Sequence, residues 1–344
     1  MNLVVTLQGV GGFFGRMERT HPLLPWLLAI VALLPLPLIL SGLFNDYYVY
    51  LANRICIFIM LSVGLNIVKG FCGQVTVGHV GLYAIGAVTA AILSTNFGFS
   101  FWMTLPAAIF IAGLAGVVVG VPSFRLEGAY LALATLGLGE SVRIMISVTP
   151  YLGSSTGLGG IPAPSAFGFT FDNFTRYYYL VMPIALVGIY LSFAILRSAT
   201  GRAFQAIRED TIAAAAAGIN VRKYKLLAFV ISAMYAGCAG AMFAHMRPGY
   251  IHHNNFTIIE MVTLLLMIVL GGIGHVWGGV IGAIIVTIIY DQTKDFYFYQ
   301  PLLFGSSMVL LVIFMPQGIG GLIDRYIVTQ RFIDARREAG DGTS

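Results

Sequence analysis

GRAFQAIREDTIAAAAAGINVRKYK, residues 201–225, decides how this chain is organised. Five of the nineteen cations fall in it: Arg202, Arg208, Arg222, Lys223 and Lys225. Long apolar runs flank it on both sides. From Arg202 to Ala217 it holds strong helix formers and no proline, so a helix forms there at low cost. Asp210 or Thr211 can cap such a helix with a side-chain oxygen. Gly218 suits the left-handed position that ends it. The expected form is a short helix, a glycine break and a basic re-entry near Lys225. Anchoring at the cytoplasmic membrane face accounts for Arg222, Lys223 and Lys225. It does not account for an alanine helix with mixed charge at Arg208, Glu209 and Asp210. Alanines present a thin face that seats in a partner's groove, and flanking charges fix the register. The segment 202–218 therefore reads as a docking element.

The rest of the chain explains why a docking element stands alone. Of 344 residues, 58% are hydrophobic and 10% are charged, and the mean hydropathy is +0.88. Soluble domains carry about 25% charged residues. Composition therefore implies one membrane domain in contact with lipid. The net charge of +5 is not a nucleic-acid signal, because the cations sit at the ends of apolar runs. Cys56, Cys72 and Cys238 have no paired spacing and read as small apolar packers.

A spanning helix needs about 20 mostly apolar residues. Ten candidates are expected, over 23–44, 48–68, 76–95, 101–121, 128–147, 177–197, 226–246, 257–273, 276–291 and 300–316. Several are interrupted by Gly or Pro, as broken helices are. The expected class is an all-α polytopic membrane protein with about ten transmembrane helices. Its transmembrane body covers 23–323 and includes the loop 198–225. Cytoplasmic segments at 1–22 and 324–344 flank it. With the N-terminus in the cytoplasm, fourteen Lys and Arg collect inside and five outside. That bias is the positive-inside pattern, and it places both termini in the cytoplasm.

No phosphate loop is present, since none of the four lysines follows a glycine. No zinc-protease or nucleophile-elbow motif occurs either, so the chain is expected not to be an enzyme. Ionisable residues within spans are costly unless paired or solvated. Glu140 and Arg143, at i and i+3, share a helix face and can neutralise each other. Glu260 reads as interfacial at the start of its span. Residues 64–91, GLNIVKGFCGQVTVGHVGLYAIGAVTAA, are the most irregular apolar stretch. Small polar groups between glycines are what a translocation path uses. Gln74, Thr76 and His79, with Thr135, are the nominated path residues. The alternative for this stretch is a Gly-rich packing helix.

The order of motifs resembles the permease subunits of branched-chain amino acid ABC importers, in particular the LivM type. The resemblance is carried by GLNIVKGFCGQVTVGHVGLYAIGA (64–87), RLEGAYLALATLGLGE (125–140) and TGLGGIP (156–162). It continues through GRAFQAIREDTIAAAAAGINVRKYKLLAFVISAMYAGCAGA (201–241), LLLMIVLGGIGHVWGGVIGA (264–283) and MPQGIGGL (315–322). It implies a bacterial inner-membrane permease that binds no cofactor itself. ATP would be bound by two partner ATPase subunits, beside a second related permease and an extracytoplasmic binding protein. Arg202, Arg208, Glu209, Asp210 and Gly218 would then form the coupling helix. The family loop usually has Glu-Ala-Ala followed by Gly. Here Asp210, Thr211 and Ile212 separate Glu209 from the alanines. Urea, amides or aromatic acids remain alternative substrates. A proton-coupled secondary carrier using Glu140 or Glu260 is the rival mechanism, and a membrane enzyme or scaffold is the other.

Overall fold

A computed structural model describes residues 33–43, 45–166, 168–293, 299–314 and 318–320. The expected segments 1–22 and 324–344, most of the first span and Lys294 lie outside the described residues. Within them the apolar runs form helices close to the expected bounds. These are α1 (Leu36–Leu43), α2 (Asp46–Asn66), α3 (His79–Thr95), α4 (Phe101–Gly120), α5 (Gly128–Val148) and α6 (Phe174–Arg197). The polar stretch makes α7 (Ala199–Glu209) and α8 (Thr211–Ala216). The chain returns as α9 (Val221–His245), α10 (Ile258–Gly271), α11 (Val276–Gln292) and α12 (Gln300–Phe314). Six helical segments are long and apolar enough to cross a membrane, and α3, α11 and α12 are shorter apolar helices. The chain is an all-α, multi-pass membrane protein. Among the described residues, strands are confined to a two-residue hairpin, Ser165–Ala166 with Phe169–Thr170.

Two breaks interrupt the apolar core. α2 runs into a five-residue π-helix, Ile67–Phe71, and Gly73 then turns the chain with φ +72°. α10 ends at Gly271, and Gly272 and Gly274 reverse the chain at φ +113° and +90°. Backbone polar groups at membrane depth need partners inside the protein. Asn66 meets that need for the second break. Its Nδ2 donates to the His275 carbonyl at 2.7 Å, and Gly274 N–H donates to its Oδ1 at 3.0 Å. The tripeptide Gly-His-Val stands at the start of both α3 and α11.

Small residues set the helix spacing, as expected where packing must replace hydrophobic driving force. α9 lies at the centre. A Cβ placed on Gly86 would sit 2.5 Å from Gly237 Cα, so α3 and α9 touch backbone to backbone. Gly113, Gly116 and Gly120 of α4 face Met234, Ala233 and Phe229 of α9. Some buried polar groups in this core find partners: Tyr235 donates to the Gly188 carbonyl at 2.7 Å, and Asn53 Nδ2 to the Phe174 carbonyl at 3.0 Å, while Asn53 Oδ1 and His79 Nε2 have no hydrogen-bond partner among the described residues. Burial differs sharply between spans, reaching 89% for the α2 segment and only 17% for α5. α5 touches the body through Thr135, which lies against Gly78, and Gly139, which lies against Gly78 and Gly81.

At the end of the bundle opposite α7 and α8, the loop 149–173 is tied to residues 247–255. Leu158 and Ile251 exchange two backbone hydrogen bonds of 2.9 Å. Tyr250 donates its hydroxyl to the Thr156 carbonyl at 2.7 Å.

Candidate functional site

The polar stretch folds differently from a single capped helix. Asp210 leaves the helical region, at φ −157° and ψ 119°, and splits the segment in two. Of the two expected caps, Asp210 is the one used. Its Oδ1 accepts the N–H groups of Ile212 at 2.7 Å and Ala213 at 3.0 Å. Those two hydrogen bonds hold its carboxyl below the ordinary aspartate value. A depressed carboxyl stabilises the fold above its unfolded value and loses that contribution as pH falls through the folded one. The cap is therefore complete at neutral pH and fails only in acid. Asp210→Ala is expected to speed limited proteolysis of the 210–218 segment in the purified protein. Asp210→Asn, which still accepts at an N-cap, is expected to stay near wild type. Equal cleavage of the two variants would show that the cap does not hold α8.

α7 is held on its inner face and free on its outer one. Ala203, Phe204 and Ile207 are buried, while Arg202 and Glu209 are exposed. Ser198 caps it by accepting the Thr200 N–H at 3.2 Å. Arg208 reaches back into the bundle, and its Nη1 donates to the Gly70 carbonyl in the π-helix at 2.5 Å. A Cβ on Gly73 would lie 3.2 Å from Arg208 Cα, and the Arg208 guanidinium abuts Gly274. One side chain thus touches both breaks. α8 ends at Gly218, whose φ is +84° and which has open space around it. Ile212, on the bare face of α8, is 81% exposed. Its neighbours Ala213, Ala215 and Ala216 are exposed too. Sequence reasoning did not single out Ile212. The signal was present as the one large apolar residue between Arg208 and Gly218.

The nominated path residues are all buried: Gln74, Thr76, His79 and Thr135. They are not all together. Thr135 Oγ1 accepts the Val77 N–H at 3.0 Å, so α5 grips the extended segment 73–78 there. His79 faces α9, with Nδ1 3.3 Å from Ser232 Oγ. Gln74 bonds locally, to the Cys72 carbonyl at 3.3 Å. Glu140 and Arg143 pair on α5, with Arg143 Nε donating to Glu140 Oε1 at 2.8 Å.

A different cavity, of about 590 Å³, opens beside residues 247–255. Arg54, Tyr83, Phe243, Glu260 and Tyr290 are among its walls. Glu260 is therefore a cavity residue, where sequence reasoning read it as interfacial. Tyr290 donates its hydroxyl to Glu260 Oε1 at 3.0 Å. These residues come from five helices and share no sequence motif, which is why spacing could not find them.

The comparisons with known proteins agree on one family. A profile described as "Branched-chain amino acid transport system / permease component" matches residues 47–315. The chain is 37% identical over 316 residues to the "High-affinity branched-chain amino acid transport system permease protein LivM" of Escherichia coli, covering 85% of this chain and 74% of that one. It is 26% identical to the "Probable branched-chain amino acid transport permease protein LivM" of Methanocaldococcus jannaschii, over 76% and 90% of the two chains. It is 24% identical to the E. coli permease LivH of the same high-affinity system, again over 76% and 90%. No solved structure matches it. The profile spans most of the chain, including both breaks and the α7–α8 segment, and the chain therefore belongs to the branched-chain amino acid transport permease family.

Proposed function

We propose that this chain is a transmembrane permease subunit of an ABC importer for branched-chain or related hydrophobic amino acids. The family match carries the reading, and the exposed α7–α8 surface supports its mechanism. The chain acts without a nucleotide site of its own. One of two ATPase subunits docks on α8, with Ile212 and the alanines seated in its surface. A binding protein delivers solute at the opposite end, onto the joined loops 149–173 and 247–255. The membrane is the bacterial inner membrane, with α7, α8 and both termini in the cytoplasm. Lys69, Arg125, Arg197, Arg202, Arg208, Arg222, Lys223 and Lys225 cluster at that end of the sequence threading, which suits the orientation.

A second, related permease covers α5. That helix is the least buried span, and it turns the Glu140–Arg143 pair outward, with the two side chains 28% and 25% exposed. An ion pair left in hydrocarbon is costly, so a protein surface suits it better than lipid. Closing of the ATPases moves α8, and Arg208 passes the movement to both helix breaks. The path opens along the segment holding Gln74, Thr76 and His79, against Thr135.

Purification of the tagged chain from its native membrane in mild detergent tests this reading. Two ATPases and a second permease should accompany it in fixed ratio. Leucine with its binding protein should raise ATP hydrolysis several-fold, through a coupling of about 1–3 kcal/mol. A chain that emerges alone and stable would point instead to a secondary carrier.

A further inference from the structure

We propose that the cavity walled by α2, α3, α9, α10 and α11 is an amino-acid site within this single chain, reading the free zwitterion directly. The proposal rests on the importer reading above and adds a ligand position to it. The volume of about 590 Å³ lies within the range of small-ligand sites, roughly 300–1,000 Å³. Its inner polar groups are opposite charges that meet at one ring, while Arg247, His252, Asn254 and Asn255 line it from the loop 247–255. The Arg54 guanidinium carbon is 5.4 Å from the Tyr290 ring centre and 5.4 Å from that of Phe58. Glu260 accepts the Tyr290 hydroxyl at 3.0 Å.

The two charges attract each other across the cavity, but they do not saturate each other. Among the described residues, Arg54 donates no hydrogen bond and lies over two aromatic faces. Glu260 accepts one hydrogen bond and keeps its other oxygen open. A guanidinium fork matches a carboxylate in two parallel bonds, and an open carboxylate suits an ammonium. Phe58, Phe243 and Met246 supply an apolar wall of the kind an aliphatic side chain needs. A neutral amide or urea would leave both charges unanswered. An α-amino acid with an apolar side chain answers both and the wall as well.

The test uses the whole complex in nanodiscs, without binding protein or nucleotide, and radiolabelled leucine. Leucine should bind saturably. 4-Methylpentanoate, which lacks the ammonium, and isopentylamine, which lacks the carboxylate, should each bind at least tenfold more weakly. Arg54→Gln and Glu260→Gln should each raise the leucine Kd at least tenfold. Glu260→Gln should also improve 4-methylpentanoate binding, because the repelling carboxylate is gone. A merely structural role for Glu260 would not reverse that preference. Equal binding of all three ligands by the wild type would overturn the proposal, and that arm needs no variant to fold. No saturable leucine binding, or binding untouched by both substitutions, would also overturn it. An Arg54→Gln variant that weakens attachment of the binding protein and leaves leucine binding unchanged would assign Arg54 to an acidic side chain of the docked protein, which also counts against the proposal. Uptake by the same complex with binding protein and ATP separates the two levels. Leucine uptake without leucine binding here removes only this site. Absence of leucine uptake removes the importer reading itself.

Discussion

Gly218→Pro is expected to reduce ATP-driven leucine uptake to background while the permease still inserts and assembles. Gly218 has φ +84°, and the proline ring holds φ near −65°. The substitution also deletes the N–H that bonds the Ala215 carbonyl at 3.0 Å. The end of α8 must then take another course, and Ile212 and the alanines leave their register. Nothing lies within 4 Å of a side chain at 218, so the damage is to backbone direction and not to packing. Gly218→Ala tests that distinction. It fits the space and pays only the left-handed strain of about 1–2 kcal/mol, so it should keep part of the uptake. Uptake assays in proteoliposomes, with quantified insertion, check both variants. Full transport by an inserted Gly218→Pro permease would remove α8 from the coupling route.

Gly240→Leu is expected to prevent accumulation of the permease altogether. A Cβ at 240 would stand 2.5 Å from Ala87 N and 2.5 Å from Tyr83 O, both backbone atoms of α3. Neither can rotate away, so α9 must separate from α3 at the centre of the bundle. Overpacking costs about 1–3 kcal/mol where side chains can adjust, and more is expected where only backbone is available. Gly113→Ala is the control. Its Cβ would meet the Met234 side chain at 3.1 Å, and methionine adapts easily. Its level in the membrane should match the wild type. Immunoblotting of membrane fractions distinguishes the outcomes, and normal levels of Gly240→Leu would contradict the close α3–α9 contact.

Most helix bounds were legible because apolar runs and their polar ends carry the same information as the folded spans. The expected 101–121 is α4, Phe101–Gly120, and the expected 276–291 is α11, Val276–Gln292. Gly113, Gly116 and Gly120 are small residues at helical spacing in the sequence, but their seat on α9 depends on the folded arrangement. The split at Asp210 was only half visible. Its capping role could be read from its type, yet local propensity through Arg202–Ala217 favours one continuous helix. The deciding term is the burial of Ala203, Phe204 and Ile207 against the bundle, which is tertiary. The Arg54–Glu260–Tyr290 cavity was illegible for a different reason. Each residue alone reads as a span end, and their meeting depends on how α2, α10 and α11 are arranged. The same holds for Asn66, an apolar-span residue whose partners are 208 and 209 positions away.

Asn66 and Arg208 together reduce the freedom of the bundle. Asn66 fastens the Gly274–His275 turn to the end of α2, and Arg208 spans from α7 to Gly70 at the same place. The two re-entrant corners and the surface helix therefore behave as one hinge block with a common pivot. Sliding α7 along its axis while one corner stays put would break at least one of these three hydrogen bonds. A push on the α7 surface would thus displace the two corners together, with no need for a chain of intermediate contacts through the core.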